Sequence, residues 1–329
     1  MNEPTAVISG TGSSLPEKIV TNFDLEKLVE TSDEWITTRT GIRERRVARE
    51  GESMSQFAIA ASRCAIQAAG LQSADIDLII CATVTPDMPI PATSCIIQER
   101  LGARRAAAFD LSAGCSGFIY ALSVGHQFIR SGMYRQILVI GAELLTKYLD
   151  WSDRTTCILF ADGAGAVVLS RSDDPTRGIL ASSLHADGSM ADFITLPGGG
   201  TNNPPTEATV KQGLHFIRMK GNETFKIAVR SIEEVCREVC AAGGLAPSAV
   251  DLFVPHQANK RIIDAVGSRL GLDPAKVYLN IERTGNTSSA SIPIALDEAS
   301  RKGLIKQGDR VLFAAFGAGL TWGAALVRW

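Results

Sequence analysis

The amino-acid sequence predicts an α/β protein made of two copies of one structural unit, and three observations support this fold class. Apolar runs typical of buried strands, such as TAVISG and IDLIICATV, alternate with helical patterns such as MSQFAIAASRCAIQAAGL. Strands that are apolar throughout are typical of mixed or parallel sheets covered by helices on both faces. The two halves of the chain also resemble each other. Finally, 45% hydrophobic and 21% charged residues are values of an ordinary folded protein.

The internal similarity links segments from the two halves of the 329-residue chain. AIQAAGLQSADIDLIICATVTP (65–86) predicts a helix, a short turn and a strand, and REVCAAGGLAPSAVDLFVPHQAN (237–259) repeats that order. FADGAGAVVLS (160–170) is matched in the same way by FGAGLTWGAALVRW (316–329). A repeated helix–strand order at matching places indicates duplication of one α/β unit.

A third pair of segments, DLSAGCSGFIYAL and ERTGNTSSASIPIAL, turns from a polar loop containing glycine into a helix. The charged, proline-containing stretch RSDDPTRG (171–178) is the expected connection between the two units. We therefore predict an N-terminal half over 1–174 and a C-terminal half over 175–329. A pseudo-twofold relation between the halves would bring their corresponding loops together at the centre.

The composition argues against several classes of function. The formal net charge of −2 provides no overall attraction to nucleic acid or to an anionic membrane. We find neither an apolar run that could span a bilayer nor an N-terminal leader, so we expect a cytoplasmic protein without membrane insertion. Seven cysteines, odd in number and without a C-x-x-C pair, fit reduced thiols. The four histidines do not cluster with other ligands, so no metal site is expected.

Cys115, in SAGCSGFIYAL, is the candidate nucleophile. Glycines allow a sharp turn at this point, and the helical pattern that begins directly afterwards would place the thiol at a helix N-terminus, which favours the thiolate. Cys64 and Cys240 lie inside helical patterns and Cys81 lies in a strand pattern, so they lack this setting. The alternative interpretation is a small buried residue at a tight turn, because cysteine is often buried.

His256 and Asn286 are two further candidates, each at the end of a predicted element. His256 follows an apolar strand in LFVPHQANKRI, and Asn286 lies in the turn RTGNTSSAS before a helix. Alone, the histidine has a structural interpretation and the asparagine has that of a turn or helix cap. Together with Cys115, at equivalent loop ends of two repeats, they form a candidate nucleophile and oxyanion-stabilising set.

These motifs resemble those of β-ketoacyl-[acyl-carrier-protein] synthase III, a family of the thiolase superfamily. The resemblance is carried by GCSGF, VPHQANKRI, GNTSSAS and FGAGLTWGAALV, and it extends over the chain through TSDEWITTRTGIRERR, ADGAGAVVL, LHADGS and MKGNETFKIAV. It implies the thiolase fold, with five layers in the order αβαβα, and a homodimer. It also implies an acyltransferase of fatty-acid synthesis that needs no cofactor beyond its thioester substrates.

The resemblance implies a role for each candidate residue. Cys115 would take the acyl group from an acyl-CoA primer as a thioester. His256 and Asn286 would hydrogen-bond the thioester carbonyl of malonyl-acyl carrier protein (malonyl-ACP), stabilising the enolate left by decarboxylation. The backbone N–H groups of Cys115 and Ala318 would hold the oxyanion of the tetrahedral intermediates. The products are β-ketoacyl-ACP, CO₂ and CoA.

The primer requires a coenzyme A site, and the resemblance implies one around Trp35. This tryptophan would stack on adenine with Arg154 on the other face, and Arg39 would meet the phosphates. The residues implied for this site are Thr31, Trp35, Arg39, Arg154, Gly221 and Asn259. An amphipathic core anchor on a capped helix is the alternative interpretation of Trp35.

Because the carrier protein is acidic, we expect a local basic face to bind it beside His256. The residues assigned to this face are Gln257, Ala258, Asn259, Lys260 and Arg261, with Lys226 and Arg230 as an extension. A second basic run is interpreted as a solvated or dimer-facing surface, and it consists of Arg43, Arg45, Arg46 and Arg49.

Two positions depart from the family's pattern. Ala318 stands where many relatives carry glycine, and the extra methyl group should be tolerated if the backbone dihedrals are ordinary. Ile90 stands where the family often has a larger aromatic residue that reaches across the dimer into the primer pocket. We hypothesise that the pocket therefore accepts short branched or somewhat longer acyl chains.

Four other functions were weighed against this one. A degradative thiolase needs a second active-site cysteine, which FGAGLTWG lacks, and hydroxymethylglutaryl-CoA synthase needs a catalytic glutamate that Glu99, in a helical pattern, does not match. A non-catalytic scaffold would be expected to have lost one of the three candidate residues. A ketosynthase of a secondary-metabolite pathway, using the same residues on another acyl-CoA, remains the alternative.

Overall fold

The computed structural model describes residues 4–329 and has alternating strands and helices, as the sequence predicts. The strands are β1 (Thr5–Ser14), β2 (Ile19–Thr21), β3 (Glu44–Arg46), β4 (Leu78–Ala82), β5 (Ala107–Leu111), β6 (Gln136–Leu144), β7 (Asp162–Ser172), β8 (Gly178–Ala186), β9 (Ile194–Thr195), β10 (Arg218–Met219), β11 (Leu252–Pro255), β12 (Arg310–Gly317) and β13 (Thr321–Arg328). The helices are α1 (Asn22–Leu25), α2 (Asp33–Thr40), α3 (Met54–Ala68), α4 (Thr93–Leu101), α5 (Gly117–Arg130), α6 (Glu207–Lys211), α7 (Gly221–Ala242), α8 (Lys260–Arg269), α9 (Ile281–Thr284) and α10 (Ser291–Arg301).

The first half forms a five-stranded sheet in the order β1-β7-β6-β4-β5. β4 pairs in parallel with β5 and β6, whereas β7 runs antiparallel to β6 and β1. The inner strands β4 and β6 are buried almost throughout, because helices cover both faces of the sheet. β5 forms one edge of this sheet.

The second half repeats this arrangement in a four-stranded sheet ordered β11-β12-β13-β8. β11 and β12 are parallel, and β13 runs antiparallel to both β12 and β8, which is the succession found in β4-β6-β7-β1. A single parallel bridge between Phe253 and Val277 takes the place of the β4–β5 pairing. The duplication predicted from the sequence is therefore confirmed at the level of strand order and direction.

The helices complete five layers around these two sheets. α5 and α10 lie between the sheets and share one apolar core with both of them. α3 and α4 pack on the outer face of the first sheet, and α7 and α8 pack on the outer face of the second. Successive residues of β4 follow this division, since Ile80 faces the central core and Ile79 faces the outer one. This is the predicted αβαβα architecture of the thiolase fold.

The two sheets are joined by a short polar connection. β7 ends at Ser172 and β8 begins at Gly178, so the connection coincides with the charged stretch 171–178. We propose on this basis that the two halves divide at residues 174 and 175. No helix of residues 4–329 combines the length and apolar character needed to cross a bilayer.

Candidate active site

Cys115 lies in a single 3₁₀ turn, Gly114–Ser116, directly before α5. Gly114 has φ +54°, and a Cβ atom there would lie 2.8 Å from the backbone nitrogen of Ala318. Glycine is therefore required both by the left-handed backbone and by the close approach of the 317–318 segment. The sequence-based placement of Cys115 between a tight turn and a helix start is correct.

Residues of the second half hold this turn from the other side. The Thr321 hydroxyl donates to the carbonyl of Ala113 at 2.8 Å and lies 3.0 Å from the carbonyl of Ala318. The Ser116 hydroxyl donates to the carbonyl of Thr321 at 3.0 Å. Ser288 alone among the described non-glycine residues has positive φ, so Ala318 has an ordinary backbone conformation and its methyl group is tolerated. The backbone of Ala318 is thus kept against the Cys115 turn.

Burial determines the protonation of the thiol. Cys115 is partly buried, and desolvation raises the pKa of its thiol to about 11 in spite of the adjacent helix N-terminus. The favourable effect of the helix start on the thiolate, expected from the sequence, is outweighed by burial. Cys115 is therefore a protonated thiol at physiological pH.

His256 follows β11 and is 4% exposed. Burial lowers the pKa of its imidazole to about 3, so the ring is neutral at physiological pH. Its Nδ1 lies 2.6 Å from the Ser291 hydroxyl, which also accepts a hydrogen bond from the backbone N–H of Gln257. Because a hydroxyl can donate or accept, Ser291 supports the imidazole with its hydrogen on either ring nitrogen.

Asn286 lies in the turn before α10 with its side chain oriented by a local hydrogen bond. The Asn286 Oδ1 accepts from the backbone N–H of Ser288 at 2.9 Å, which leaves the Nδ2 amide as the free donor. The backbone of Asn286 bonds to Leu159 and Ala161 in the first half, at 3.0 and 2.8 Å. Ser288 has φ +49°, so this turn holds a strained conformation beside the candidate nucleophile.

One cavity of about 670 Å³ brings the three candidate residues together. Cys115, His256 and Asn286 all line it, and apolar side chains of α7 and α8 form much of its wall. The residues predicted for coenzyme A that also line it are Arg39, Gly221 and Asn259. Ile90 does not line it, being 86% exposed on the surface of the single chain.

Trp35 and its neighbours form a partly exposed cluster at one side of the molecule. The Arg39 and Arg154 guanidinium carbons lie 4.6 and 5.1 Å from the Trp35 ring centroid. The Thr31 hydroxyl is buried without a hydrogen-bond partner. Ser32 caps α2 by accepting a hydrogen bond from the N–H of Trp35. Trp35 therefore lies at a capped helix start, as its structural interpretation expects, and also makes the two cation–π contacts. The cluster presents a flat ring, two cations and an unsatisfied hydroxyl.

The predicted carrier-protein face is only partly accessible. Gln257 is fully buried, and its side chain bonds to the backbone of Pro255, Tyr278, Asn280 and Ile281. The prediction that Gln257 contacts the carrier is therefore wrong for its side chain, which instead holds the 255–257 segment in place. Asn259 caps α8 and donates to the carbonyl of Arg39.

The cations of this face lie at the start of α8 and on α7. Lys260 forms an ion pair with Asp264 at 2.6 Å, and Arg261 lies over the ring of Phe225 with 5.2 Å between guanidinium carbon and ring centroid. Lys226 lines the cavity, whereas Arg230 pairs with Glu234 at 2.7 Å. Of these cations, Lys226 and Arg261 line the cavity.

Sequence reasoning missed the role of Arg45, which was assigned to a solvated run. Arg45 is fully buried, and its guanidinium donates to the carbonyls of Val20 and Ile158 and to the side chain of Asn22. Burial lowers the pKa of this guanidinium to about 10. Ile158 precedes the Leu159 carbonyl that bonds Asn286, so Arg45 supports the active-site turn from behind. The sequence signal that Arg45 is buried, the nearby apolar residues Ile42 and Val47, is weak.

Comparisons with known proteins show which family this chain is similar to. Residues 109–188 match the family described as 3-oxoacyl-[acyl-carrier-protein (ACP)] synthase III, and residues 240–329 match its C-terminal family. The chain is 55% identical over 324 residues, 98% of each chain, to a β-ketoacyl-[acyl-carrier-protein] synthase III of Caldanaerobacter subterraneus subsp. tengcongensis.

Solved structures of similar proteins have the same fold. The crystal structure of 3-oxoacyl-[acyl-carrier-protein] synthase III from Aquifex aeolicus is 51% identical, with a TM-score of 0.92 over 98% of this chain and 100% of that chain. The priming β-ketosynthase from the R1128 polyketide biosynthetic pathway is 37% identical, with a TM-score of 0.92 over 98% of this chain and 96% of that one.

Proposed function

Because this chain belongs to the 3-oxoacyl-[acyl-carrier-protein] synthase III family, we propose that Cys115, His256 and Asn286 carry out the condensation by which that family starts fatty-acid synthesis. The enzyme transfers the acyl group of an acyl-CoA primer to malonyl-ACP and forms β-ketoacyl-ACP, CO₂ and CoA. The observation that carries the residue assignment is that all three side chains line one cavity. They reach it from loops of both halves of the chain.

In the first step the Cys115 sulfur attacks the thioester carbonyl of acyl-CoA. The thiol proton passes to Nε2 of the neutral His256, while Ser291 accepts a hydrogen bond from Nδ1–H. The backbone N–H groups of Cys115 and Ala318 receive the negative charge of the tetrahedral oxyanion. The carbon–sulfur bond to CoA then breaks, and the departing CoA sulfur takes the proton from His256.

In the second step malonyl-ACP replaces CoA in the cavity. The neutral ring exchanges its hydrogen from Nδ1 to Nε2 through solvent, with the Ser291 hydroxyl turning to donate to Nδ1. His256 Nε2–H and the Asn286 Nδ2 amide then donate to the malonyl thioester carbonyl. Loss of CO₂ leaves an enolate whose negative oxygen these two neutral donors stabilise, and each such donor contributes about 3–4 kcal/mol. The enolate carbon attacks the acyl-Cys115 carbonyl. Collapse of the tetrahedral intermediate releases the β-ketoacyl product and the Cys115 thiolate, which is reprotonated.

The proposed coenzyme A site consists of Thr31, Trp35, Arg39, Arg154, Gly221 and Asn259. Two arginines over one indole ring suit a flat heterocycle and a phosphate chain. The buried, unpartnered hydroxyl of Thr31 has a hydrogen bond still to make, which a ligand can satisfy. Gly221 and Asn259 continue the route toward Cys115, because both line the cavity.

For the acidic carrier protein we propose docking at the cavity mouth through Ala258, Asn259, Lys260 and Arg261, with Lys226 as an extension. Lys260 and Arg230 are already paired with Asp264 and Glu234, so an acidic partner would have to compete with these carboxylates. Arg261 and Lys226 have no ion pair among the described residues and are the stronger candidates. Charge attraction of this kind mainly speeds encounter.

A cytoplasmic homodimer is the proposed state of the protein. β5 is an edge strand of the first sheet and would present unpaired backbone groups to a second copy. Ile90 is 86% exposed on the single chain, which fits a side chain that reaches into a partner's primer pocket. The cysteines are all free in the structure, in keeping with a reducing compartment.

The experiment that tests the nucleophile is intact-protein mass spectrometry after incubation with acetyl-CoA. The wild-type chain should gain one acetyl group, and Cys115→Ala should gain none. Cys95→Ala is the matched control, because Cys95 is an exposed free thiol that does not line the cavity and its loss should leave acetylation intact. An adduct that persists in Cys115→Ala would overturn the assignment of the nucleophile.

A priming ketosynthase of a polyketide pathway is the second candidate function, favoured by the 37% identity to the R1128 enzyme. The same residues would serve both reactions, so the two differ in carrier protein and in primer. Condensation rates with a fatty-acid carrier protein and with a polyketide carrier protein distinguish them. A clear preference for the polyketide carrier would replace the first candidate with the second.

A further inference from the structure

A buried carboxylate, Glu143, lies near the end of β6 beneath the turn that carries Asn286. Its side chain is fully buried, and no basic side chain in the described part of the chain pairs with it. Three groups from the end of β4 contact it: the Thr83 and Thr85 hydroxyls, at 3.2 and 2.7 Å, and the Val84 N–H, at 3.1 Å. The Ser289 hydroxyl, from the second half, lies 2.8 Å from Oε1. Glu143 therefore joins the two halves under the active site.

The groups around Glu143 supply a limited number of hydrogens for these hydrogen bonds. The Thr85 hydroxyl accepts from the N–H of Leu144, and the Thr83 hydroxyl accepts from the N–H of Thr85, so both are free to donate to Oε2 of Glu143. The Ser289 hydroxyl has one hydrogen but lies close to two acceptors, the Ala82 carbonyl at 2.9 Å and the Glu143 Oε1 at 2.8 Å. An ionised carboxylate would leave one of these contacts without a hydrogen.

One further proton on Oε1 supplies the missing hydrogen, and the Val84 N–H, which lies 3.3 Å from Oε1 and 3.1 Å from Oε2, donates to the nearer oxygen, Oε2. A protonated Glu143 donates from Oε1 to Ser289, Ser289 donates to the Ala82 carbonyl, and Oε2 accepts from the two threonines and Val84. We propose that Glu143 is a positioning residue for the condensation and acts as a neutral carboxylic acid, its proton fastening the Ser289 turn against the Cys115 turn. The inference rests on the proposed roles of Cys115 and Asn286.

Close packing explains how this contact reaches the reacting groups. A Cβ atom on Gly141 of β6 would lie 2.3 Å from the carbonyl oxygen of Ser289, so the turn sits directly on the strand backbone. A Cβ atom on Gly117, at the start of α5, would lie 3.5 Å from the Cβ of Ser289. Ser288, the preceding residue, donates its N–H to Asn286. Displacement of Ser289 would therefore move Asn286 relative to Cys115.

Electrostatics give a second reason for a neutral Glu143. Burial without a cation raises the pKa of this carboxyl to about 7. The titratable groups that face it are Cys81 on β4, Cys115 in the nucleophile turn and Tyr148 after β6, and ionised Glu143 raises the pKa of all three. A negative charge here would oppose both the thiolate of Cys115 and the enolate. The 288–290 turn adds no titratable group.

Asp162 on β7 provides a matched contrast. It is also fully buried, and burial raises the pKa of its carboxyl to about 6. Its partners are all hydrogen donors: the N–H groups of Ala48 and Thr146 and the hydroxyl of Thr146. This contact set suits an ionised carboxylate. Glutamine should therefore replace Glu143 well, whereas asparagine should replace Asp162 poorly.

The test compares wild type, Glu143→Gln and Asp162→Asn by infrared spectroscopy and by kinetics as functions of pH. We expect the wild-type spectrum at about pH 6 to contain a carboxylic-acid carbonyl band that disappears as the pH passes about 7. Asp162, with a carboxyl pKa raised to about 6, should add a second contribution that titrates about one pH unit lower and is missing in Asp162→Asn. The Glu143 band should be missing in Glu143→Gln and retained in Asp162→Asn. The glutamine variant should keep near wild-type kcat/KM at about pH 6, because its amide donates to Ser289 and accepts from the threonines.

At pH values above the pKa of Glu143, the kcat/KM of Glu143→Gln and that of wild type should differ. The ratio of kcat/KM for Glu143→Gln to that for wild type should rise up to about tenfold per pH unit, because one pKa unit is a factor of ten. Absence of the band in wild type would show Glu143 to be ionised and would overturn the proposal. A band together with identical pH profiles would overturn the positioning role. Failure of Cys115 acetylation would instead refute the proposed function and leave the infrared result unaffected.

Discussion

Substitution of Gly114 tests whether the backbone of Ala318 serves as an oxyanion donor. A Cβ atom at Gly114 would lie 2.8 Å from the Ala318 nitrogen, 3.0 Å from its carbonyl oxygen and 3.2 Å from its Cβ. No flexible side-chain end can give way there, so the Gly114→Ala variant must move the backbone of residue 318. The N–H of Ala318 then no longer points to the oxyanion that forms on the acyl carbon attached to Cys115.

Gly114→Ala should have two separate effects, a loss of folding stability and a loss of reaction rate. Left-handed backbone at φ +54° costs an alanine about 1–2 kcal/mol of folding stability. Loss of one oxyanion donor lowers the rate about 10²–10³-fold. Gly102, at the end of α4, has φ +76° and no atom within 4 Å of its Cβ position. Gly102→Ala therefore introduces the same left-handed backbone strain but does not displace the backbone of residue 318. It is the matched control.

The assays are urea unfolding and the rate of Cys115 acetylation by acetyl-CoA, measured on both variants. We expect similar losses of stability but a large loss of acetylation rate in Gly114→Ala alone. Gly317→Ala should behave like Gly114→Ala, because its Cβ would lie 2.5 Å from the Cys115 nitrogen. If both Gly114→Ala and Gly317→Ala acetylate as fast as Gly102→Ala, Ala318 is not an oxyanion donor and the reasoning is refuted.

Three further predictions concern the other donors, the primer and pH. Asn286→Ala should slow condensation about 10²–10³-fold while leaving Cys115 acetylation nearly unchanged, because its amide acts on the malonyl carbonyl; equal losses in both steps would contradict this. If Ile90 shapes the primer pocket, isobutyryl-CoA and hexanoyl-CoA should prime at rates comparable to acetyl-CoA, and strict acetyl preference would refute the hypothesis. Glu143 has its folded-state pKa raised from 4.5 to about 7, so the free energy of unfolding should fall as pH rises between these values, by about 3 kcal/mol in total, and stay level above them. Glu143→Gln should reduce that slope in urea titrations to the part that Asp162, also with a raised pKa, contributes, and an unchanged slope would show that Glu143 does not produce it.

The fold and the meeting of the three candidate side chains in one cavity could be predicted from local patterns. Glycines around Cys115, the strand before His256 and the turn at Asn286 each leave a signal within a few residues, and duplication places those loops at equivalent ends of two units. The observed strand order repeats between the sheets, so this inference from periodicity and internal similarity was sufficient.

The supporting residues could not be predicted in this way, because their roles depend on contacts between distant segments. Arg45 belongs to a run of arginines in the sequence, yet its side chain donates to Ile158, 113 positions away. Gln257 follows His256 and looks like a continuation of the carrier-binding motif, yet its amide is used entirely by backbone groups. Composition near a residue does not reveal which way its side chain turns.

Glu143 shows why the interface between the two halves is important for the proposed reaction. The proposed nucleophile, Cys115, belongs to the first half and Asn286 to the second, so their relative position depends on contacts between the two halves. Among these contacts the Glu143–Ser289 pair is buried and polar, and its hydrogen count is satisfied only by a protonated acid. An apolar pair would bury the same surface but would not orient the turn, because dispersion contacts have no preferred direction. A neutral acid provides direction without placing a charge beside the thiolate and the enolate, which an ionised carboxylate cannot do.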